Sequence, residues 1–176
     1  MASFTERMLG AARLHVRTYE EVEADTTATT QALVVVLISS VAAGIGGIGM
    51  GVSILLRLSL AALVSWVLWA FLVWVIGTKL LPEPQTQSNV GELLRTTGFS
   101  SSPGVLRILG IIPVIGWLLS LLASVWMLAA MVVAVRQALD YRSTARAIGV
   151  CLIGWLVSMV IFWLLIPRGM VSGFSI

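Results

Sequence analysis

One cysteine, Cys151, and one histidine, His15, are all the chain has of the residues that most often hold metals or do nucleophilic chemistry. A single cysteine excludes an intrachain disulfide, and within its apolar run it reads as a small buried hydrophobe. Charge is scarce too: 11% of the 176 residues are charged and 59% are hydrophobic, against about 25% charged in ordinary soluble domains. Acids are missing from long stretches, with no Asp or Glu between Asp25 and Glu83, between Glu92 and Asp140, or after Asp140. Aspartyl chemistry needs paired carboxylates, so it has no candidate inside the apolar runs. A serine–histidine pair would need His15, which lies outside them. Zinc-ligand spacing and a phosphate loop ending in GK[ST] are both absent. These gaps argue against an enzyme, and no catalytic, ligand-binding, metal or cofactor residue is assigned.

Lysine is nearly absent, with ten arginines to one lysine, Lys79, and no basic block. Nucleic-acid binding would call for a basic stripe or a known motif. Scattered basic residues beside apolar runs instead set membrane topology and meet anionic lipid. The arginine-to-lysine bias fits a GC-rich genome, hence a bacterium and its plasma membrane. Residues 1–30 mix charges and contain no apolar core with a cleavage site, so they do not read as a signal peptide.

What the chain does have is long apolar runs. Residues 1–24 read as one amphipathic helix outside the bilayer, with Phe4, Met8, Ala12, His15, Tyr19 and Val22 on one face and Arg13 and Arg17 pointing away. Glu20, Glu21, Glu23 and Asp25 follow, a charge pattern suited to the N-terminus of a helix rather than to a calcium loop. An uncharged first span runs from Ala32 to Leu56, longer than the roughly 20 residues a bilayer needs. Its Ala43, Gly47 and Gly51 lie four apart, a spacing that lets another helix approach closely. Arg57 marks a turn, and Leu58 to Thr78 forms the second span. Trp66, Trp69 and Trp74 sit too deep within it for an interfacial belt and read as packing residues. Pro82 and Pro84 forbid continuation, and residues 89–97 open a helix carrying Glu92 and Arg95. Gly116 to Val135 and Ala147 to Ile166 are the last two spans.

The unusual stretch is Thr96 to Gly116, with three serines, two prolines, four glycines and Arg107 among apolar residues. Polar and helix-breaking groups at membrane depth need protein or a water-filled cavity around them. Basic-residue bias decides whether this stretch crosses. With five spans, eight basic residues face two across the membrane; with four, the split is seven to four. Five crossings fit better, at a cost of about 2.5–3.5 kcal/mol for an arginine near mid-membrane. Arg107 is therefore the one candidate functional or structural intramembrane residue. It is expected to be shielded by small faces such as Ala43–Gly47–Gly51, with donors on backbone carbonyls or on the serines at 100–102.

The pattern GFSSSP at Gly98 to Pro103, opening the third of five spans after a short polar N-terminal segment, resembles the Yip (Ypt-interacting protein) family membrane domain. TYEEVEADTTATTQA, KLLPEPQT, ELLRTTGFSSSPGVLRILG and VAVRQALDYRSTARAIGVCLIGW are similar to its compact prokaryotic branch, over roughly residues 5–165. The resemblance implies a membrane organiser or adaptor. Eukaryotic relatives work in vesicle traffic and contact prenylated small GTPases. Their long cytosolic N-terminal region with its tyrosine motif has no counterpart in this sequence, so GTPase binding and functional residues are not carried over.

The sequence thus predicts an all-α integral membrane protein, a five-span helix bundle with a short amphipathic N-terminal helix. Its parts are a cytoplasmic segment over 1–30, the membrane domain over 31–168 and a tail over 169–176. Its expected partners are the lipid bilayer and other membrane proteins or a second copy, met through small-residue helix faces, with no nucleic acid. The alternative is a small permease or channel built around the broken third span. The acidic cluster at 20–25 is expected to meet Arg136, Arg142 and Arg146 on the inner rim. The topology makes a direct prediction: reporter fusions after Gln85 and Tyr141 score cytoplasmic and one at Ile176 external. A cytoplasmic C-terminus would overturn the five-span count.

Overall fold

Capping residues and helix breakers mark out the elements of the computed structural model, which describes residues 2–46 and 52–165. Helix α1 (Phe4–Ala12) opens on a capping box in which the Ser3 hydroxyl accepts from Glu6 N and the Glu6 carboxylate accepts from Ser3 N. Leu14 has a φ of 62° and turns the chain into α2 (Val16–Ala24). The expected single helix over 1–24 is therefore a hairpin of two. The periodicity holds at Tyr19 and Val22, both buried. It fails at His15, which sits exposed at the bend.

Four helices are long and apolar enough to cross a membrane: α3 (Ala28–Gly46), α4 (Val52–Val75, prolonged by a π turn over Ile76–Leu80), α6 (Gly116–Ala138) and α7 (Thr144–Leu165). Among the described residues every regular element is helical. The chain is an all-α membrane protein, as its composition requires. The expected turn at Arg57 is not there, because α4 has already begun at Val52 and Arg57 is an exposed residue of its second turn. An uncharged run gives no signal of where one span ends and the next starts, and here charge was the wrong marker. Gly47 and Gly51 lie outside the described residues.

The segment expected as the third span, Thr96 to Ile112, is not one helix. Helix α5 (Val90–Phe99) starts at an Asn89–Glu92 capping box, as expected for the stretch carrying Glu92 and Arg95. After a turn at Ser100 and Ser101 the chain continues as a ten-residue 3₁₀ helix, Ser102–Ile111, with Pro103 in its first turn. Runs of this length are uncommon because the hydrogen bonds are poorer. Proline has no N–H to give an α-helical turn, and the Ser100 and Ser102 hydroxyls donate to the Thr97 and Phe99 carbonyls at 2.7 Å. The tighter coil is also the longer one: ten residues cover about 20 Å as a 3₁₀ helix and about 15 Å as an α-helix.

That stretched segment lies along α3. A methyl group added at Gly98 would meet Ala32 Cβ at 2.7 Å, one at Gly104 would strike the Ser39 hydroxyl, and one at Gly46 would strike the Arg107 carbonyl. Gly110 in turn faces the Gly46 backbone. α5 and the 3₁₀ helix together therefore keep pace with α3 from Ala32 to Gly46, and α6 packs on the other side of the 3₁₀ helix. The small residues of α3, Ala28, Ala32, Ser39 and Ala42, are buried in the chain's own bundle.

Two cores result. One gathers Ala70, Val73 and Ile76 of α4, Leu93 of α5 and Val135, Ala138 and Leu139 of α6 and its end, with Ala147 and Val150 of α7. The other joins Ala11, Tyr19 and Val22 of the N-terminal hairpin to Ala32, Val35, Phe99 and Ala134. The tryptophans of α4 are packing residues, as expected: Trp66 donates to the Thr97 hydroxyl at 3.2 Å, Trp74 to the Ser88 carbonyl at 3.0 Å, and Trp69 lies against Gly154. Gly98→Leu should destabilise the solubilised protein by about 1–3 kcal/mol through overpacking. Gly149→Ala, where the nearest neighbour is at 4.0 Å, should stay close to wild type. Thermal unfolding in detergent checks both, and equal midpoints would break the packing argument.

Candidate functional site

Two polar constellations stand out in an otherwise apolar structure. The first fastens the N-terminal hairpin to the bundle. Arg7, only 2% exposed, donates to Glu21 at 2.8 Å, pairs with Asp25 at 2.8 Å and reaches the Gln31 side chain at 3.1 Å. Nearly all its donors are thus engaged, which is what keeps a buried guanidinium tolerable. Arg95 extends from α5 and donates to the Val22 carbonyl at 3.0 Å and to the Glu23 carbonyl through two nitrogens. These carbonyls belong to the last turn of α2, where a helix has acceptors left over and favours a cation. The Trp126 indole donates to the Ala12 carbonyl at 2.7 Å, and Gln137 donates to Glu20 at 3.3 Å.

The acidic cluster is therefore not tied to Arg136, Arg142 and Arg146, contrary to the sequence-based expectation. Glu21 and Asp25 turn to Arg7. The α6–α7 loop finds a different acid, Glu83, whose carboxylate accepts from Arg142 N at 2.9 Å and Ser143 N at 3.4 Å and pairs with Arg146 at 3.5 Å. Arg136 donates to the Tyr141 carbonyl at 3.2 Å. The Tyr141 hydroxyl lies within hydrogen-bond distance of the Gly77 and Leu81 carbonyls at the π turn. Charge alone cannot choose among carboxylates on one rim, and the loop lengths that bring Glu83 there leave no pattern in the sequence. Arg7 and Arg95 were equally missed. Their signal was a cation at an apolar helix's inward spacing, Arg7 one turn before buried Ala11 and Arg95 beside buried Thr96.

Glu23 is the exception within the cluster. Burial pushes its carboxyl up to about 7, Asp140 and Glu92 push the same way, and Arg95 only partly opposes them. The Thr27 hydroxyl and Arg7 hold Asp25 below its ordinary range, and Arg7 with Ala2 N does the same for Glu21.

The second constellation surrounds Arg107 on the 3₁₀ helix. Its side chain is half-buried and lines a partly open cleft of about 260 Å³ with Ser100, Ser124, Met127, Leu128 and Met131, the last four on α6. Ala43 is half-buried on α3, and Gly47 and Gly51, the rest of the face expected to shield Arg107, lie outside the described residues. Among the described residues His15 and Cys151 do not converge with other ligating groups. Among the described residues no three His, Cys, Asp or Glu side chains form a set able to hold a metal. Cys151 is half-buried against the first core.

A family model described as the Yip1 domain matches residues 16–166. The chain belongs to the Yip1 family. No curated protein and no solved structure matches it. The match begins at α2 and runs through the last described helix, so it takes in Arg95, the 3₁₀ helix and Arg107. In this Yip1 domain α1 lies ahead of the matched region while supplying Arg7, the buried cation that α2 closes around.

The pH dependence of the hairpin has a definite sign. Glu23 keeps its proton to a higher pH in the folded chain than in the unfolded one, so its contribution is full below about 4.5 and is lost as the pH rises through about 7. Glu21 and Asp25 act oppositely, contributing above the ordinary carboxylate range and losing it as the pH falls. Glu23→Gln should therefore stabilise the protein at pH 8, by on the order of 2 kcal/mol, and leave it unchanged at pH 4.5. Paired denaturation curves at the two pH values check this; a gain of the same size at both would contradict it.

Proposed function

We propose that this Yip1-family protein is a non-catalytic membrane organiser or adaptor that binds other membrane proteins or lipid. The observation that carries the reading is how much apolar surface α4, α6 and α7 leave uncovered. Only 17% to 22% of the residues in their apolar windows are fully buried, and rows of large apolar side chains along all three stay exposed. On α4 this surface includes Leu60, Val64, Val67, Leu68 and Phe71, all exposed. The small-residue face of α3 is already occupied by the 3₁₀ helix, so lateral partners would meet α4, α6 and α7 instead. The docked hairpin offers exposed Arg13 and Arg17, in keeping with contact to anionic headgroups.

In this reading the α5–3₁₀ segment is the third of five crossings, running beside α3 and antiparallel to α6, with the N-terminus cytoplasmic in a bacterial plasma membrane. A lipid-exposed 3₁₀ helix would be costly, whereas one flanked by α3 and α6 shields part of its backbone. The alternative, a small permease, draws on the cleft at Arg107. Flux separates the two. Proteoliposomes carrying the protein should pass ions and small solutes no faster than protein-free vesicles. Photo-crosslinkers at Leu60, Val64 and Leu68 should give a discrete adduct with another membrane protein. Saturable flux that disappears in Arg107→Leu would replace the adaptor with the permease.

A further inference from the structure

The cleft at Arg107 has a chemistry that the adaptor reading does not use. A guanidinium is a cation and carries five N–H donors in a fixed fork. At membrane depth it needs a partner, and the chain has no carboxylate from Glu92 to Asp140 to supply one. Nor does any Asp or Glu lie within α3, α4, α6 or α7. Among the described residues Arg107 forms no ion pair and no side-chain hydrogen bond. Ser100 and Ser124 share the cleft, yet their hydroxyls donate to Thr97 O at 2.7 Å and to Ser120 O at 2.8 Å. Arg107 therefore supplies the cleft's only charge.

The surroundings say what kind of anion fits. Leu106, Ile108, Leu109 and Ile111 beside Arg107 are exposed, and in a membrane protein such a row faces acyl chains. The opposite wall is Met127, Leu128 and Met131, and methionine adapts to irregular apolar partners. The cleft's 260 Å³ falls just under the roughly 300–1,000 Å³ of ordinary small-molecule pockets. It has room for an oxyanion and the first atoms of a chain, with the remainder lying along the apolar row. A soluble anion would have to cross lipid to reach it, while an amphiphile arrives by lateral diffusion.

We propose that this cleft binds the oxyanion of an acyl-chain amphiphile, with Arg107 as its charge-paired partner. The oxyanion is a phospholipid phosphate or a fatty-acid carboxylate; both present oxygens that the guanidinium fork grips through two parallel hydrogen bonds. The purified full-length protein in mild detergent is offered phosphatidylglycerol, oleate or diacylglycerol, and retained ligand is read by native mass spectrometry. Retention of phosphatidylglycerol identifies the phosphate source and of oleate the carboxylate source, with diacylglycerol, which has no oxyanion, retained least. Arg107→Leu should weaken retention about tenfold, with circular dichroism and gel filtration reporting that the variant is folded. Should Arg107→Leu fail to fold, Ser124→Leu fills the cleft while leaving the charge, and should cause the same loss. The proposal is overturned if diacylglycerol is held as well as phosphatidylglycerol and oleate, or if neither anionic amphiphile is retained. Retention by a folded Arg107→Leu at the wild-type level would overturn it too, as would wild-type retention by Ser124→Leu.

Discussion

Close backbone approach between α3 and the α5–3₁₀ segment is the constraint on which the rest of the structure depends. Non-α backbone within apolar surroundings has to be covered by protein, and coverage at that range requires side chains of almost no size. Gly98 against Ala32, Gly104 against Ser39 and Gly110 against Gly46 meet that requirement along the whole contact. Because the segment is stretched into a 3₁₀ coil, it reaches the far end of α3 with few residues. α6 can then return along its other side. The hairpin, α4 and α7 are arranged around this three-part centre.

The two ends of the molecule solve the problem of charge differently. At the end carrying the hairpin, each buried or half-buried cation meets named acceptors: Arg7 the carboxylates of Glu21 and Asp25, Arg95 the last carbonyls of α2. Glu83 ties the α4–α5 connection to the α6–α7 loop in the same fashion. Arg107 sits away from these acids. Among the described residues the chain thus contains buried cations matched internally and, at Arg107, a half-buried one with no internal partner.

Much of this was legible in advance. Apolar runs and proline stops located the later spans to within a few residues. The proline-bounded stretch carrying Glu92 and Arg95 was legible as a helix, α5, although its Asn89–Glu92 capping box was not read from the sequence. The reversal between α3 and α4 was not legible, since glycine and apolar residues give no edge and Arg57 offered a false one. The 3₁₀ geometry was half legible: Pro103 and three serines said that the stretch was irregular, but its close packing at Gly104 on Ser39 and Met127, residues far away in the chain, left no local pattern. The ion pairs were the least legible, because they depend on how helices are placed. Arg7 lies fourteen residues from Glu21 and finds it only because Leu14 turns the chain back.

The hairpin also fixes an order of assembly. Its holders, Arg95, Trp126, Ala134 and Gln137, all come later in the chain than the segment they hold. Synthesis therefore releases α1 and α2 long before their seat is complete, and during that interval Tyr19 and Val22 have only the α3 part of their core, Ala32 and Val35, to enter. Contacts of such sequence separation form slowly. The hairpin is made before its seat and settles after it, so an arrested or truncated chain that stops short of α6 leaves α1 and α2 without Trp126, Ala134 and Gln137 to hold them.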